Sequence, residues 1–401
     1  MATSPEHSGS PSPEHGGGPA TGWLLGRDFR LMLLATFGAF ANYAVLLPIV
    51  PAWAAHGGAG PTGAGATNGV FMLCTVLTQL LVPALATRIG YRATLALGTA
   101  TMGLPTFAYA MTDALPTLVG VSALRGLGFG LLTVSGSALI AELAPARQRG
   151  RAAGLYGLAG GLPNVLLLPT GIVAATHWSY PGVFLLSAAL PVLSLAAIAA
   201  MRRTSGAPDR TPVGRPPFAA FATPWTVMFA VAVASSGITT FVPLAVPAAS
   251  AVALAGFGVA NMAGRWLAGV ATDRGLGRLV PVPATLMVAA GLGVLAVAAS
   301  RGNPAVLAAV AGLVFGLGFG MAQNQTLVAL FDRAGTGRHG VASAAWNIAY
   351  DAGTGIGAIG LGALAGQAGY PWAFVTVAVL VAGCLPVAWR TGRSSWRTAT
   401  D

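Results

Sequence analysis

The sequence predicts an all-α membrane protein whose twelve transmembrane helices form two parallel six-helix repeats. Three observations predict it. Charge is scarce, twelve apolar runs are long enough to cross a bilayer, and the second half repeats the first at an offset of 190 residues.

Of the 401 residues, 55% are apolar and 8% are charged. A soluble domain usually carries roughly 25% charged residues to cover its surface. The mean hydropathy of +0.73 instead points to lipid as the solvent. All 21 basic residues are arginine. Without lysine there is no P-loop lysine for a nucleotide and no Schiff-base lysine for pyridoxal phosphate. Energy therefore comes from an ion gradient or from a partner subunit.

Residues 1–27, rich in Pro, Gly, Ser and His, read as a disordered cytoplasmic tail. A bilayer-spanning helix needs about 20 apolar residues. Such runs occupy 29–53, 64–86, 93–111, 115–142, 152–176 and 180–201, which make an N-terminal six-helix bundle over 28–201. A polar, Pro-rich and arginine-bearing linker follows over 202–223. The runs at 224–247, 249–271, 279–299, 304–330, 340–366 and 371–390 make the C-terminal bundle over 224–390, and 391–401 form a second cytoplasmic tail.

Arginine placement orients the spans. The tails and every second loop hold eighteen arginines, from Arg27 and Arg30 through Arg88, Arg92, Arg147, Arg149 and Arg151 to Arg390, Arg393 and Arg397. The opposite loops hold Arg301 alone. Basic loops stay on the cytoplasmic side, so both termini are expected there, in a multi-pass protein of the cell (plasma) membrane. The same distribution accounts for the net charge of +11 without a nucleic-acid partner. Cys74 and Cys384 lie inside apolar spans and read as small core hydrophobes. The five histidines lie in the tail, loops and span ends without metal-ligand spacing, and no hydrolytic triad can be assembled. The expectation is a chain that is not an enzyme and takes no metal and no cofactor.

The repeat is visible as GLGFG at 126–130 and again at 316–320, and as YPGVF at 180–184 returning as YPWAF at 370–374. In the same register Glu142 matches Asp332, Gly150 matches Gly340 and Tyr156 matches Trp346. Six spans per half is an even number, so both halves enter from the same side. They are parallel repeats about an axis along the membrane normal, with a substrate path between them.

Two charges lie near the expected midplane. Arg125 stands about ten residues into span four, roughly 15 Å along the helix. Asp351 stands about twelve residues from the cytoplasmic end of span eleven and is the one carboxylate at such depth. A charge there costs at least ~2.5 kcal/mol unless it is paired or hydrated. Arg125 and Asp351 are thus both candidates for proton coupling or for reading substrate charge, Asp351 that of a cationic substrate. The bland alternative is a fixed salt bridge, with Arg125 the partner by depth. Arg265, about two turns before a cytoplasmic loop, is expected to snorkel or to pair with Asp273.

The loop "PALATRIGYR" (83–92) and its counterpart "GVATDRGLGR" (269–278) resemble the cytoplasmic-loop signature of the major facilitator superfamily. Arg88, Gly90 and Arg92 fit it in the first half, with Thr87 where the family has an acidic residue. Asp273, Arg274 and Arg278 fit it in the second, with the glycine one place late at Gly277. The resemblance implies a charge-relay latch in these loops, and plain positive-inside charge is the alternative for Arg92 and Arg278. "LRGLGFG" resembles the family's fourth-helix motif, an arginine in a glycine-rich helix. "AELAPARQRGRAAGLYG" (141–157) resembles its connection from span four to span five. "GLAGGLPN" (157–164) is partly similar to an exporter motif of the fifth helix, with Leu162–Pro163 in place of Gly-Pro. "GITTFVPLAV" (237–246) and "NIAYDAGTGIGAIGLGALAG" (347–366) resemble spans seven and eleven of its drug and metabolite exporter branch.

The resemblance covers residues 28–390 and implies the superfamily fold. Spans one, four, seven and ten line the cavity in that family, which raises Asn42, Tyr43, Gln323 and Asn324 as cavity candidates. Asn347 and Tyr350 join them beside Asp351. The implied function is secondary active transport by alternating access. The expected form is a monomeric proton-coupled antiporter, fed by the proton gradient, that effluxes a small organic molecule such as a drug or natural product and confers antibiotic resistance. The alternative is a proton-coupled importer of an anionic or sugar-like nutrient, with Arg125 receiving the anion. A membrane enzyme or receptor on the same frame needs a reactive constellation at one face, and the sequence offers none.

Overall fold

The computed structural model describes residues 26–144, 149–202, 218–302, 305–335 and 338–394. Among these, every regular element is helical. The order is α1 (Arg27–His56), α2 (Pro61–Ile89), α3 (Tyr91–Gly103), α4 (Leu115–Leu143), α5 (Arg149–His177) and α6 (Tyr180–Ala200). The second half holds α7 (Phe218–Thr239), α8 (Ser250–Asp273), α9 (Pro281–Ser300), α10 (Ala305–Ala334), α11 (His339–Ala368) and α12 (Tyr370–Gly383). Among the described residues, eleven stretches are long and apolar enough to cross a membrane, α12 together with the short helix that continues it. The twelfth, α3, reaches that length only with the 3-10 turns Leu104–Ala110 that continue it.

Three spans differ from the sequence expectation, and proline explains each difference. Pro105 cannot donate to the helix ladder, and the third span tightens to 3-10 geometry there. Span seven begins at Phe218, inside the expected linker, just after Pro216 and Pro217, since proline cannot continue a helix but can precede one. It then stops at Thr239, and a four-residue helix Val242–Ala245 and a 3-10 turn Pro247–Ala249 replace its last turns around Pro243 and Pro247. Span twelve is interrupted at Cys384 before Pro386 and resumes as Leu385–Ser394, past the expected boundary at 390. The expected tails and the linker core at 203–217 fall outside the described residues, apart from those helix ends. So do Arg147 and the side chains of Glu142, Arg149 and Arg151.

The two halves pack alike. In the first, α1 lies against α5 and α6, α4 against α2 and α3, and α3 against α6. Adding six to each number reproduces the second: α7 against α11, α10 against α8 and α9, and α9 against α12. The halves meet through α2 against α11 and α5 against α8, a pair that the same operation exchanges.

The repeated GLGFG sets these approaches. A Cβ on Gly126 or Gly130 would fall on the α2 carbonyls of Phe71 and Thr75, and one on Gly128 on the α3 backbone at Met102. Gly316 and Gly320 meet the α8 carbonyls of Phe257 and Asn261 in the same way, and Gly318 meets α9 at Ala284. Lipid offers helices no hydrophobic drive to associate, so close approach at small residues supplies the packing.

Both ends of the described chain lie on one face, here the terminal face. There Asp28 accepts the backbone N–H of Arg202 at 3.3 Å, and Arg333 donates to the carbonyl of Ala220 at 2.8 Å. The opposite end is the far face. Between the halves, α2 and α11 touch from the far end inward: Thr62 donates to Gly362, Gly65 abuts Ala358, Gly69 abuts Ile359, and Gln79 meets Asp351. Beyond that point Leu80, Leu81, Pro83 and Ala84 of α2 are exposed.

A proline-made joint reinforces the far side. Pro51 has no N–H to give the carbonyl of Leu47 four residues back. Asn68 of α2 fills the vacancy, donating to Leu47 at 2.7 Å and to the hydroxyl of Thr240, just past α7, at 2.9 Å. One buried amide thus ties α1, α2 and the second half together.

Candidate functional site

Asp351 is 4% exposed and sits where α11 crosses α2. Its Oδ2 accepts a 2.6 Å hydrogen bond from Nε2 of Gln79, which also reaches Thr133 of α4 at 3.5 Å. Gly355 and Gly69 leave room for the two backbones to close beside this bond. Tyr350, the preceding residue, lies close to Tyr43 of α1 across the seam.

Aromatic surface approaches this point from both halves. Tyr43 stacks on Phe129 at 4.5 Å and 9°, with Phe40 and Phe71 packed around the pair. Across the seam Trp346 stacks on Tyr350 at 5.6 Å and 19°, and Phe319 lies 6.1 Å from Tyr350. Nε1 of Trp346 donates to Thr326 of α10 at 3.1 Å. Gln323 follows Phe319 by four residues and precedes Thr326 by three, so it shares their helix face toward Trp346 and Tyr350.

Several amide oxygens here lack a donor. Among the described residues, Oε1 of Gln79, Oε1 of Gln323, Oδ1 of Asn324 and Oδ1 of Asn261 are buried without a hydrogen bond. Gln79 and Gln323 are 7% and 5% exposed. Buried polar groups are nearly always paired, which singles these atoms out.

Arg125 is held elsewhere. Its Nη2 donates to Oδ1 of Asn42 at 2.9 Å, its Nε to the carbonyl of Met102 at 3.1 Å, and its Nη1 reaches the hydroxyl of Tyr109 at 3.5 Å. The rings of Phe71 and Tyr109 both lie 5.4 Å from the guanidinium carbon. The Met102 carbonyl stands one residue before the α-to-3-10 transition of the third span, where the regular ladder changes and leaves it open to an outside donor. Arg125 and Asp351 form no ion pair with one another, so the alternative of a fixed bridge between them is absent from this arrangement. Asn42, expected in the cavity, is fully buried, and its amide also donates to the carbonyl of Ser187 at 3.0 Å. Its polar atoms are committed inside the first half.

The remaining candidates divide. Asn347 donates to Ser343 in its own helix at 2.8 Å. Asn324 faces α8 near Gly269. Arg92 caps α6, donating to the carbonyls of Ile198 and Ala199 at 3.1 and 2.9 Å, a role that neither the latch nor plain loop charge anticipated. Arg88, Asp273 and Arg274 are exposed. Gly90 turns α2 into α3 with φ +81°, a conformation that side chains avoid. In the second loop Gly275 takes the positive φ, not Gly277.

Arg265 was expected to snorkel or to pair with Asp273, and its side chain is exposed. It does not pair with Asp273, which lies eight residues on and so about 12 Å farther along α8. It lies seven residues after Gly258, which meets Val165 of α5 where the two halves touch. That spacing, about two helical turns, was the signal for this. The Asn68–Thr240 joint also escaped the sequence, because its partners come from three separate segments, α1, α2 and the turn after α7.

The family model described as Major Facilitator Superfamily matches residues 32–358. Among solved structures, a POT family transporter in complex with a thioalcohol-conjugated peptide superposes with a TM-score of 0.75 at 12% identity, covering 92% of this chain and 97% of that one. A D-xylose-proton symporter gives 0.72 at 16% identity, covering 93% and 97%. A curated relative, riboflavin transporter RibZ of Clostridioides difficile (strain 630), is 22% identical over 125 residues. That match spans 31% of this chain and 27% of the relative's length.

Proposed function

The chain belongs to the major facilitator superfamily, and from that membership we propose a proton-coupled exporter of a small organic molecule that works by alternating access. Asp351 is the coupling residue. The carrying observation is its place: one carboxylate, 4% exposed, at the contact that joins the two halves. An ionised carboxylate disfavours a dry seam, and a bound proton removes that cost. Loading and unloading one proton therefore biases whether the seam beside Asp351 closes or opens toward water. The halves rock about the α2–α11 and α5–α8 contacts, and the aromatic surfaces beside Asp351 receive the substrate.

The arrangement of Arg125 favours export of a neutral or cationic molecule over import of an anion. Its donors are occupied within the first half, which leaves little to offer a carboxylate. The importer reading keeps one observation in its favour, the exposed Arg265 on the α8 helix that meets α5 of the other half. The same proposal has the protein act as a monomer of the plasma membrane with its terminal face cytoplasmic, which the arginine bias supports. Transport by this family needs no catalytic constellation, and we assign none.

Everted membrane vesicles carrying a pH-sensitive dye test the proposal. Substrate added to energised vesicles should release protons with the native chain and release none with Asp351→Asn, although the variant inserts normally. Undiminished release in the variant removes Asp351 from the mechanism. Resistance and accumulation assays over a compound panel then fix direction, with lowered accumulation in cells making this chain the expected result.

A further inference from the structure

We propose that this site takes a planar heteroaromatic ligand rich in N–H or O–H donors, not an anion, and that Gln79 and Gln323 read those donors. The proposal rests on the transporter reading and names its substrate class.

Two independent features converge on it. Ring surface reaches the seam from each half, through the Tyr43–Phe129 stack and the Trp346–Tyr350 stack. Flat, polarizable ligands gain from stacking on such faces in offset or edge geometry. The unmet polar groups are also of one kind. Oε1 of Gln79 and Oε1 of Gln323 accept nothing, and both side chains are more than nine-tenths buried. Gln79 lies against Asp351, and Gln323 faces Trp346 and Tyr350, so the two acceptors bracket the Tyr350–Asp351 step from opposite halves.

An acceptor in such a place discriminates sharply. A ligand that brings a donor satisfies it, whereas a ligand without one leaves the oxygen stranded and dry. An anionic ligand adds acceptors where acceptors are already in excess. Asp351, whose Oδ2 is engaged by Gln79, is a further acceptor when ionised.

The test uses the purified full chain in lipid nanodiscs with two fluorescent probes of one ring system. Lumichrome carries two ring N–H donors; its 1,3-dimethyl derivative keeps the flat ring and carries neither. Lumichrome should bind at least tenfold more tightly. Gln323→Leu, and separately Gln79→Leu, should pull that ratio toward one while the dimethyl probe binds as before. Gln323→Met, which keeps the volume, serves if the leucine variant does not fold by size-exclusion chromatography. Equal binding of the two probes overturns the proposal. So does binding of neither, tighter binding of anthracene-2-carboxylate, or a preference that survives both glutamine replacements. These readings do not involve proton movement, so lumichrome selectivity without substrate-driven proton release keeps the ligand chemistry and defeats only the coupling.

Discussion

Arg125 meets a carbonyl, an amide oxygen and two ring faces, whereas Asp351 meets one amide and a seam. Both are charges that the sequence marks by depth alone. Depth cannot distinguish them, because the distinguishing partners Asn42, Met102 and Gln79 lie 83, 23 and 272 residues away. The hydrogen bonds of Arg125 all stay within the first half, the pattern of a framework group. Arg125→Lys keeps the charge but loses the planar fork that serves three partners at once. It should cost about 1–3 kcal/mol, the penalty for stranding a buried partner, read as a lower unfolding midpoint in detergent. Substrate-driven proton release by the folded fraction should persist. Arg92→Ala should cost less, about 0.3–1 kcal/mol, since it removes a partly exposed helix cap.

Among elements, α2 and α11 are the pair on which gating depends in the proposed cycle, since they carry the main contact between the halves. Gly65 and Gly126 are both glycines in tight contact, and a sequence reading gives them the same role of close packing. The neighbours differ. Gly126 packs against Phe71 inside one half, whereas Gly65 packs against Ala358 of the other. Gly126→Val should therefore lower thermal stability. Gly65→Val should leave stability largely intact and open the far face, measured as faster thiol labelling of a cysteine placed at Thr62. Asn68→Leu should do the same by breaking the joint at Thr240 and leaving the Leu47 carbonyl without a donor. Unchanged labelling in both variants would remove α2 from the gate. The helix periods, loop glycines and arginine bias made these elements legible. The third span and the end of the seventh were less so, because hydropathy sees apolar length and is blind to where proline interrupts the ladder.

At the scale of the whole molecule, the repeat read from GLGFG is the same operation that exchanges the α2–α11 contact with the α5–α8 contact. The scaffold was legible because both halves must solve one packing problem with the same small residues. The site was only partly legible, because it lies where the symmetry breaks. Position 351 faces Gly161 in the repeat register, and position 125 faces Phe315. The central claim is that a proton on Asp351 governs which face of this symmetric frame is closed. Spin labels on the terminal ends of α2 and α11, at Thr87 and Ser343, report it directly as a distance distribution in nanodiscs. The native chain should show a separated population that grows as pH rises, since an ionised Asp351 favours the arrangement in which the terminal side admits water. Asp351→Asn should show a distribution indifferent to pH. An unchanged pH response in that variant would contradict the account and place the coupling proton elsewhere.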